Sequence, residues 1–140
     1  MSKVAVVYWS GTGNTEEMAK AVAQGARGKG AGCDLMTCEQ MDASKAAGYD
    51  ALIFGCPAMG AETLEKDAFQ PMFDAVKGAL AGKKVALFGS YGWGGGEWMQ
   101  TWEADCASAG ITLAHESVIC NEAPDDDAIA ACKALGAALA

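Results

Sequence analysis

The sequence is short of cations: ten Lys and Arg stand against eighteen Asp and Glu, leaving a formal net charge of −8. Nucleic-acid binding draws on Lys and Arg neutralising phosphates, so nucleic acid is excluded as a partner. A basic protein partner suits this balance, because complementary fields speed encounter. Histidine occurs once, at His115, with no ligand neighbour at metal spacing, and the six cysteines (Cys33, Cys38, Cys56, Cys106, Cys120, Cys132) contain no C-x-x-C pair. A metal knuckle and a dithiol motif are both excluded by this spacing; the cysteines read as small core residues and His115 as a surface residue near a strand. No apolar run approaches the roughly 18 residues of a membrane span, and strand-like sequence begins directly after Met1-Ser2-Lys3, so a cytoplasmic protein without leader or membrane contact is expected. Repeats, linkers and low-complexity tracts are missing too, and residues 1–140 are expected to form a single domain with a sizeable core.

What is present is an alternation of apolar runs and helical patterns. Lys3–Tyr8 reads as a first strand, with Val4 to Val7 apolar without a break, as in a parallel strand covered on both faces. A helix is predicted from Glu16 to about Arg27, with Met18, Val22 and Ala26 near one face. Cys33–Thr37 is a second strand, Glu39–Gly48 holds at most a short helix, and Ala51–Cys56 is a third strand. Asp67–Leu80 is helical with Pro71 fitting an early position. Val85–Gly89 is the fourth strand, Glu97–Ala109 a helix with Trp98 and Trp102 on its core face, and Ile111–Cys120 the fifth strand. Pro124-Asp125-Asp126-Asp127 opens the last helix, where acidic residues complement the helix dipole. Such alternation implies an α/β fold with a parallel sheet, right-handed crossovers and helices on both faces.

Between the first strand and its helix lies Ser10-Gly11-Thr12-Gly13-Asn14-Thr15, two glycines among four hydroxyl or amide side chains. This loop can turn sharply and aim N–H and hydroxyl donors at one point before a helix N-terminus, which suits an anion. Charge-assisted hydrogen bonds to a phosphate are worth about 1.5–3 kcal/mol each. A Walker loop is excluded because Gly13 is followed by Asn14, Thr15 and Glu16 rather than Lys and a hydroxyl residue. A dinucleotide fingerprint is excluded because Glu16 stands where the third glycine belongs. A terminal phosphate monoester held by neutral donors remains.

Ligands of doubly wound sheets sit beyond the carboxyl ends of the strands, at the switch point. Two further loops there stand out. Ala58-Met59-Gly60-Ala61-Glu62 offers a polarisable thioether, a flexible glycine and a carboxylate, and Ser90-Tyr91-Gly92-Trp93-Gly94-Gly95-Gly96 sets an aromatic among glycines, poorly placed for a core. An indole stacked on a planar ligand contributes about 0.5–1.5 kcal/mol beyond its buried area. A flat ring on a phosphorylated chain, a flavin mononucleotide, is the ligand this combination implies.

These three segments, S-G-T-G-N-T at 10–15, A-M-G-A-E at 58–62 and G-S-Y-G-W-G at 89–94, resemble in order the phosphate loop and the two ring-facing loops of the flavodoxins, over the full length of the chain. The direct run into the last strand resembles the short-chain subgroup. The resemblance implies a three-layer, doubly wound, five-stranded parallel sheet of order 2-1-3-4-5. It further implies non-covalent FMN, with Ser10, Gly11, Thr12, Gly13, Asn14 and Thr15 around the phosphate, Met59 and Trp93 flanking the ring, Glu62 accepting its N3–H, and Gly60 turning a carbonyl toward N5–H after one-electron reduction. Ala58, Ala61, Ser90, Tyr91, Gly92, Gly94 and Gly96 complete the implied cofactor-binding set. Two positions depart from the family pattern: Cys56-Pro57 supplies no hydroxyl near the phosphate, and Ala61 replaces a polar or acidic residue.

A carboxylate about 8 Å from the ring opposes a new negative charge by about 2 kcal/mol at an effective dielectric near 20, and about 1.4 kcal/mol corresponds to some 59 mV for one electron. Glu62 and Glu97, with Glu65 and Asp67 close behind, are therefore expected to disfavour an anionic hydroquinone. The expected function is a low-potential, one-electron carrier working between semiquinone and hydroquinone, a monomer without substrate turnover of its own. Its implied partners are flavin reductases and iron–sulfur oxidoreductases, met through complementary charge. A phosphoacceptor receiver is excluded because Tyr8-Trp9 and Gly55-Cys56 stand where it needs acidic residues. An FMN-dependent NAD(P)H quinone or nitro reductase of the same fold is the alternative, disfavoured because the short ring loops hold no Arg, Lys or His before Lys66.

Overall fold

Three four-residue runs, Val4 to Val7, Ala51 to Phe54 and Val85 to Phe88, are fully buried at every position. Unbroken burial of this kind requires strands with both faces covered. The runs lie in β1 (Lys3–Tyr8), β3 (Ala51–Gly55) and β4 (Lys84–Tyr91), at the centre of a sheet edged by β2 (Gly32–Thr37) and β5 (Val118–Asn121). Every pairing is parallel, as the alternation of elements implied, and the order is β2-β1-β3-β4-β5, as the resemblance implied. This computed structural model describes residues 3–11, 13–59, 63–92 and 95–140.

Alternate residues of each central strand feed two cores. Val4, Val6, Ile53 and Phe88 face Met18, Val22, Leu135 and Leu139 of α1 (Asn14–Gly28) and α5 (Asp126–Leu139). Ala5, Val7, Leu52, Phe54 and Leu87 face α3 (Phe69–Val76) and α4 (Glu97–Ser108), with the short α2 (Ala43–Ala46) beside them. On that side Phe73 meets Phe54 edge-on at 5.2 Å, and Trp102 meets Phe69 and Phe73 edge-on at 5.5 and 5.6 Å. Edge-to-face pairs of this geometry add about 0.5–1.5 kcal/mol beyond area burial. Trp98 and Trp102 are both core residues, as their spacing predicted.

On the other face α1 and α5 approach so closely that a Cβ on Gly25 would overlap the Lys133 carbonyl, and one on Gly136 the Val22 carbonyl. These glycines let two backbones touch, which holds the phosphate-loop helix against both sheet and neighbour.

Four elements differ from their expected bounds by more than a residue. Helix α1 begins at Asn14, two residues earlier than its apolar face suggested, because Gly13 caps it in the left-handed conformation (φ 97°). Strand β4 runs on to Tyr91. Helix α3 is confined to Phe69–Val76, with a 3₁₀ turn at Lys77–Ala79, and Pro71 lies in its first turn, where no N–H is needed. The expected fifth strand over Ile111–Cys120 is the largest correction. Leu113 makes only an isolated bridge to Val85, and pairing resumes at Val118. The polar stretch between them binds elsewhere, with the Ser117 hydroxyl donating to Glu103 at 2.6 Å.

Four cysteines, Cys38, Cys56, Cys106 and Cys132, are buried, and Cys33 and Cys120 are half-buried; all are free thiols. Burial pushes Cys38 up to about 11 and Cys56, Cys106 and Cys132 up to about 12. Among the described residues no group of His, Cys, Asp and Glu could hold a metal ion, and no helix is long and apolar enough to cross a membrane.

Candidate cofactor-binding cleft

The carboxyl ends of β1, β3 and β4 open into one cleft of about 580 Å³. It lies where the order reverses around β1 and β3, the place a doubly wound sheet reserves for ligands.

The first wall is the turn into α1. The Gly13 N–H donates to Ser10 Oγ at 3.0 Å, and the Gly13 carbonyl accepts the Glu17 N–H, so the serine closes the turn and the glycine starts the helix. Ser10, Gly11, Asn14 and Thr15 line the cleft from this side. Thr15 is 1% exposed, yet its Oγ1 has no hydrogen-bond partner. A buried hydroxyl without a partner forfeits about 1–3 kcal/mol, so a ligand oxygen supplied here would be strongly favoured. The indole of Trp9 lies over Gly11 so closely that a Cβ there would come within 3.0 Å of it.

The second wall follows β3. Cys56 and Ala58 donate their N–H groups to the carbonyls of Phe88 and Ser90, which prolongs the β3–β4 pairing past the strand. The Met59 N–H reaches the Thr63 carbonyl at 2.9 Å, which ties residues 59 and 63 together. Behind it Glu65 is buried, its carboxylate accepting the N–H groups of Asp67, Ala68 and Phe69 at 2.7–2.8 Å. Burial pushes its pKa up, and the three donors outweigh that and hold it below the usual carboxylate range. Its own N–H rests on Cys56 Sγ at 3.4 Å. Glu65 thus starts α3 and anchors the loop's far end.

The third wall is the end of β4. Ser90 Oγ donates to the Glu122 carbonyl at 2.7 Å, and the Glu122 N–H donates to the Tyr91 carbonyl at 2.7 Å. Tyr91 leans on Trp98 with ring centres 5.5 Å apart. Gly96 takes a left-handed conformation (φ 91°) as the cap of α4. The Glu97 carboxylate turns back onto the Gly95 N–H at 2.7 Å. Its pKa is lowered by its own N–H and that of Gly95.

Of the residues expected from the sequence, Ser10, Gly11, Asn14, Thr15, Ala58, Met59, Ser90, Tyr91 and Gly92 meet around this cleft. Gly13 and Gly96 act as helix caps behind it. Thr12, Gly60, Ala61, Glu62, Trp93 and Gly94 lie outside the described residues. Glu65 and Glu97, expected to place charge beside the ring, are instead committed to backbone N–H groups and do not line the cleft. Trp9 and Pro57, which open the first two loops but were given no binding role, line it as well, and Glu122 and Ala123 line it and were missed. The switch-point rule would have found Glu122 and Ala123 had it been applied to the fifth strand, whose end carries no unusual composition to advertise it.

The donor set fits a phosphorylated flat ring. Neutral donors and a partnerless buried hydroxyl stand at the mouth of a 15-residue helix, and Trp9, Met59 and Tyr91 supply apolar walls. Among the described lining residues there is no cation to grip a polyphosphate. Fold and cleft together define a doubly wound α/β protein with a cleft lined by neutral hydrogen-bond donors at its switch point.

A family model described as Flavodoxin matches residues 6–136. The flavodoxin of Megasphaera elsdenii is 43% identical over 137 residues, 98% of each chain, and that of Clostridium beijerinckii 40% identical over 121 residues, 86% of this chain and 88% of the other. The solution structure of two-electron reduced Megasphaera elsdenii flavodoxin superposes with a TM-score of 0.89 over 97% of both chains. The chain belongs to the flavodoxin family. Members of this family bind FMN and carry electrons.

Proposed function

We propose that this chain is a low-potential, one-electron carrier that holds FMN non-covalently in the cleft, passing electrons between its one-electron-reduced and two-electron-reduced forms. The observation that carries the reading is Thr15 Oγ1, buried and without a partner at the first turn of α1. A helix N-terminus bears roughly half a positive charge, so a phosphate there is favoured by the dipole and satisfies the orphaned hydroxyl at once. Ser10, Thr12, Asn14 and Thr15 with the loop's N–H groups hold the phosphate in this reading; Met59, Trp93, Trp9 and Tyr91 enclose the ring, and Glu62 accepts its N3–H. Gly60 turns its carbonyl toward the ring in the same reading. Bound there, FMN supplies the one-electron chemistry, and the protein contributes position and charge.

The same reading makes the chain a single domain and a cytoplasmic monomer without substrate turnover. Its partners would be flavin reductases and iron–sulfur oxidoreductases with basic docking faces. Two measurements test it. Apoprotein titrated with FMN and with riboflavin should prefer FMN by at least tenfold, and equal affinities would overturn the phosphate assignment. Holoprotein mixed anaerobically with NADPH alone should stay yellow, whereas direct bleaching would establish a reductase instead.

A further inference from the structure

Strand β5 has β4 on one side and, among the described residues, no strand on the other. The Glu122 N–H, donating to the Tyr91 carbonyl at 2.7 Å, sets the phase of its backbone. Successive residues of a strand turn their peptide groups to opposite sides. Cys120, like Glu122, therefore faces β4, and Ile119 and Asn121 hold their N–H and carbonyl groups toward the open edge. Edge strands are commonly blunted with Lys or Pro, and Val118–Asn121 has neither. Ile119 is also the one exposed large apolar side chain among the described residues, at 39%. Its Cδ1 lies so near Gly96 that a Cβ there would come within 3.1 Å, so the isoleucine is braced where it stands.

Two open cavities of about 400 and 340 Å³ run along this edge and share Val118, Ile119 and Ala131. The small side chains of Ala128, Ala131 and Ala134 leave this groove between α5 and the strand. At its upper end the groove joins the cofactor cleft, because Tyr91 and Ala123 line both. Its charge is of one sign. Asp125 and Asp127 line the end beside the cleft and Glu116 the other, with no Lys or Arg among the described lining residues. The Asp125 carboxylate is held in place by the Ala128 N–H at 2.8 Å.

We infer that the open edge of β5 is a docking site for an extended, basic segment of a partner protein, which pairs with Ile119 and Asn121 as a sixth strand beside the cleft. Unpaired N–H and carbonyl groups in a row are matched by the main chain of another strand, which supplies affinity, while the groove beside them selects its side chains. The acidic lining selects Lys and Arg. A second copy of this chain fits badly, because each copy carries a net charge of −8 and the same acidic groove. The inference deepens the carrier reading by placing the partner against the cleft wall, and takes its purpose from that reading.

Holoprotein is titrated with a short peptide of alternating Lys and Val, with the same peptide methylated at every backbone nitrogen, and with a peptide carrying Glu for Lys. Nuclear magnetic resonance reads binding and amide hydrogen exchange residue by residue. Saturation with the first peptide should slow exchange at Ile119 and Asn121 at least about tenfold. The methylated peptide should bind at least about tenfold more weakly, having lost its main-chain donors, and the Glu peptide should not bind. Ile119→Thr, an exposed change that keeps strand propensity, should weaken the first peptide at least about threefold while leaving the melting temperature in place. Equal affinity for the plain and methylated peptides overturns the proposal by assigning binding to charge alone, and protection elsewhere in the chain, or no binding, overturns it too. Protection that grows with protein concentration in the absence of peptide makes the occupant a second copy and overturns it as well. A protein that takes no FMN brings down the reading of the cleft separately, since the peptide titrations still read the edge.

Discussion

Thr15 Oγ1 and the Glu65 carboxylate are two buried polar groups in opposite conditions, one without partners and one with three. Thr15→Val keeps the shape and removes the hydroxyl, so FMN affinity should fall by about 1.5–3 kcal/mol, one charge-assisted hydrogen bond. Riboflavin affinity should be nearly unchanged, and the apoprotein should gain about 1–3 kcal/mol of stability because its unpaired buried hydroxyl is gone; fluorescence titration with scanning calorimetry checks all three. Glu65 has a folded pKa below its unfolded value. Its stabilisation is complete above the ordinary carboxylate range and is lost as pH falls through the folded value. Glu65→Gln should therefore lower stability at pH 7 by about 1–3 kcal/mol, with the two denaturation curves converging in acid. The sequence made the difference between these residues only half legible. A hydroxyl before a helix announces Thr15, but nothing in the letters tells a carboxylate that faces a ligand from one that turns back on its own backbone, as Glu65 and Glu97 do.

At the level of elements, the pairing of α1 with α5 depends on positions where a methyl group cannot fit. Gly136→Ala and Gly25→Ala each place a Cβ into a carbonyl of the neighbouring helix, and overpacking of this kind costs about 1–3 kcal/mol. Gly28→Ala, at the end of the same α1, meets open space at an ordinary φ and should stabilise by about 0.4–1 kcal/mol. Urea denaturation of the three variants should show these opposite signs. The strands, the helix count and the covering of both sheet faces were readable because buried parallel strands leave unbroken apolar runs, whereas the strand order came from the family resemblance. Strand β5 was misread because an edge strand is covered on one side only; its alternating exposure does not separate Val118–Asn121 from the half-buried Leu113 preceding it. The three loops of the cleft were legible from glycine and hydroxyl content, and the fourth segment, at Glu122, was not.

Across the whole molecule the charges sort by end. Glu16, Glu17, Glu97, Glu122, Asp125, Asp126 and Asp127 stand after the carboxyl ends of strands or at the starts of helices, with Lys66 on the same side, whereas Lys3, Arg27, Lys29, Lys83 and Lys84 stand at the opposite end with Asp50. The net charge of −8 is therefore a directed field, with its negative pole at the cleft. Reduced holoprotein should lose rate toward a small cationic oxidant as salt rises and gain rate toward an anionic one. Raising the salt from 0.1 to 1 M shortens the screening length from about 10 to 3 Å, and stopped-flow absorbance across that range reads both slopes. The walls of the cleft share one root. The Trp98 indole N–H donates to the Cys56 carbonyl at 3.1 Å, bolting the helix that follows the third wall to the root of the second. The Trp9 N–H donates in turn to the Gly55 carbonyl at 3.0 Å, so all three walls hang from the end of one strand like leaves from a single spine, and a break there would slacken the whole cleft at once.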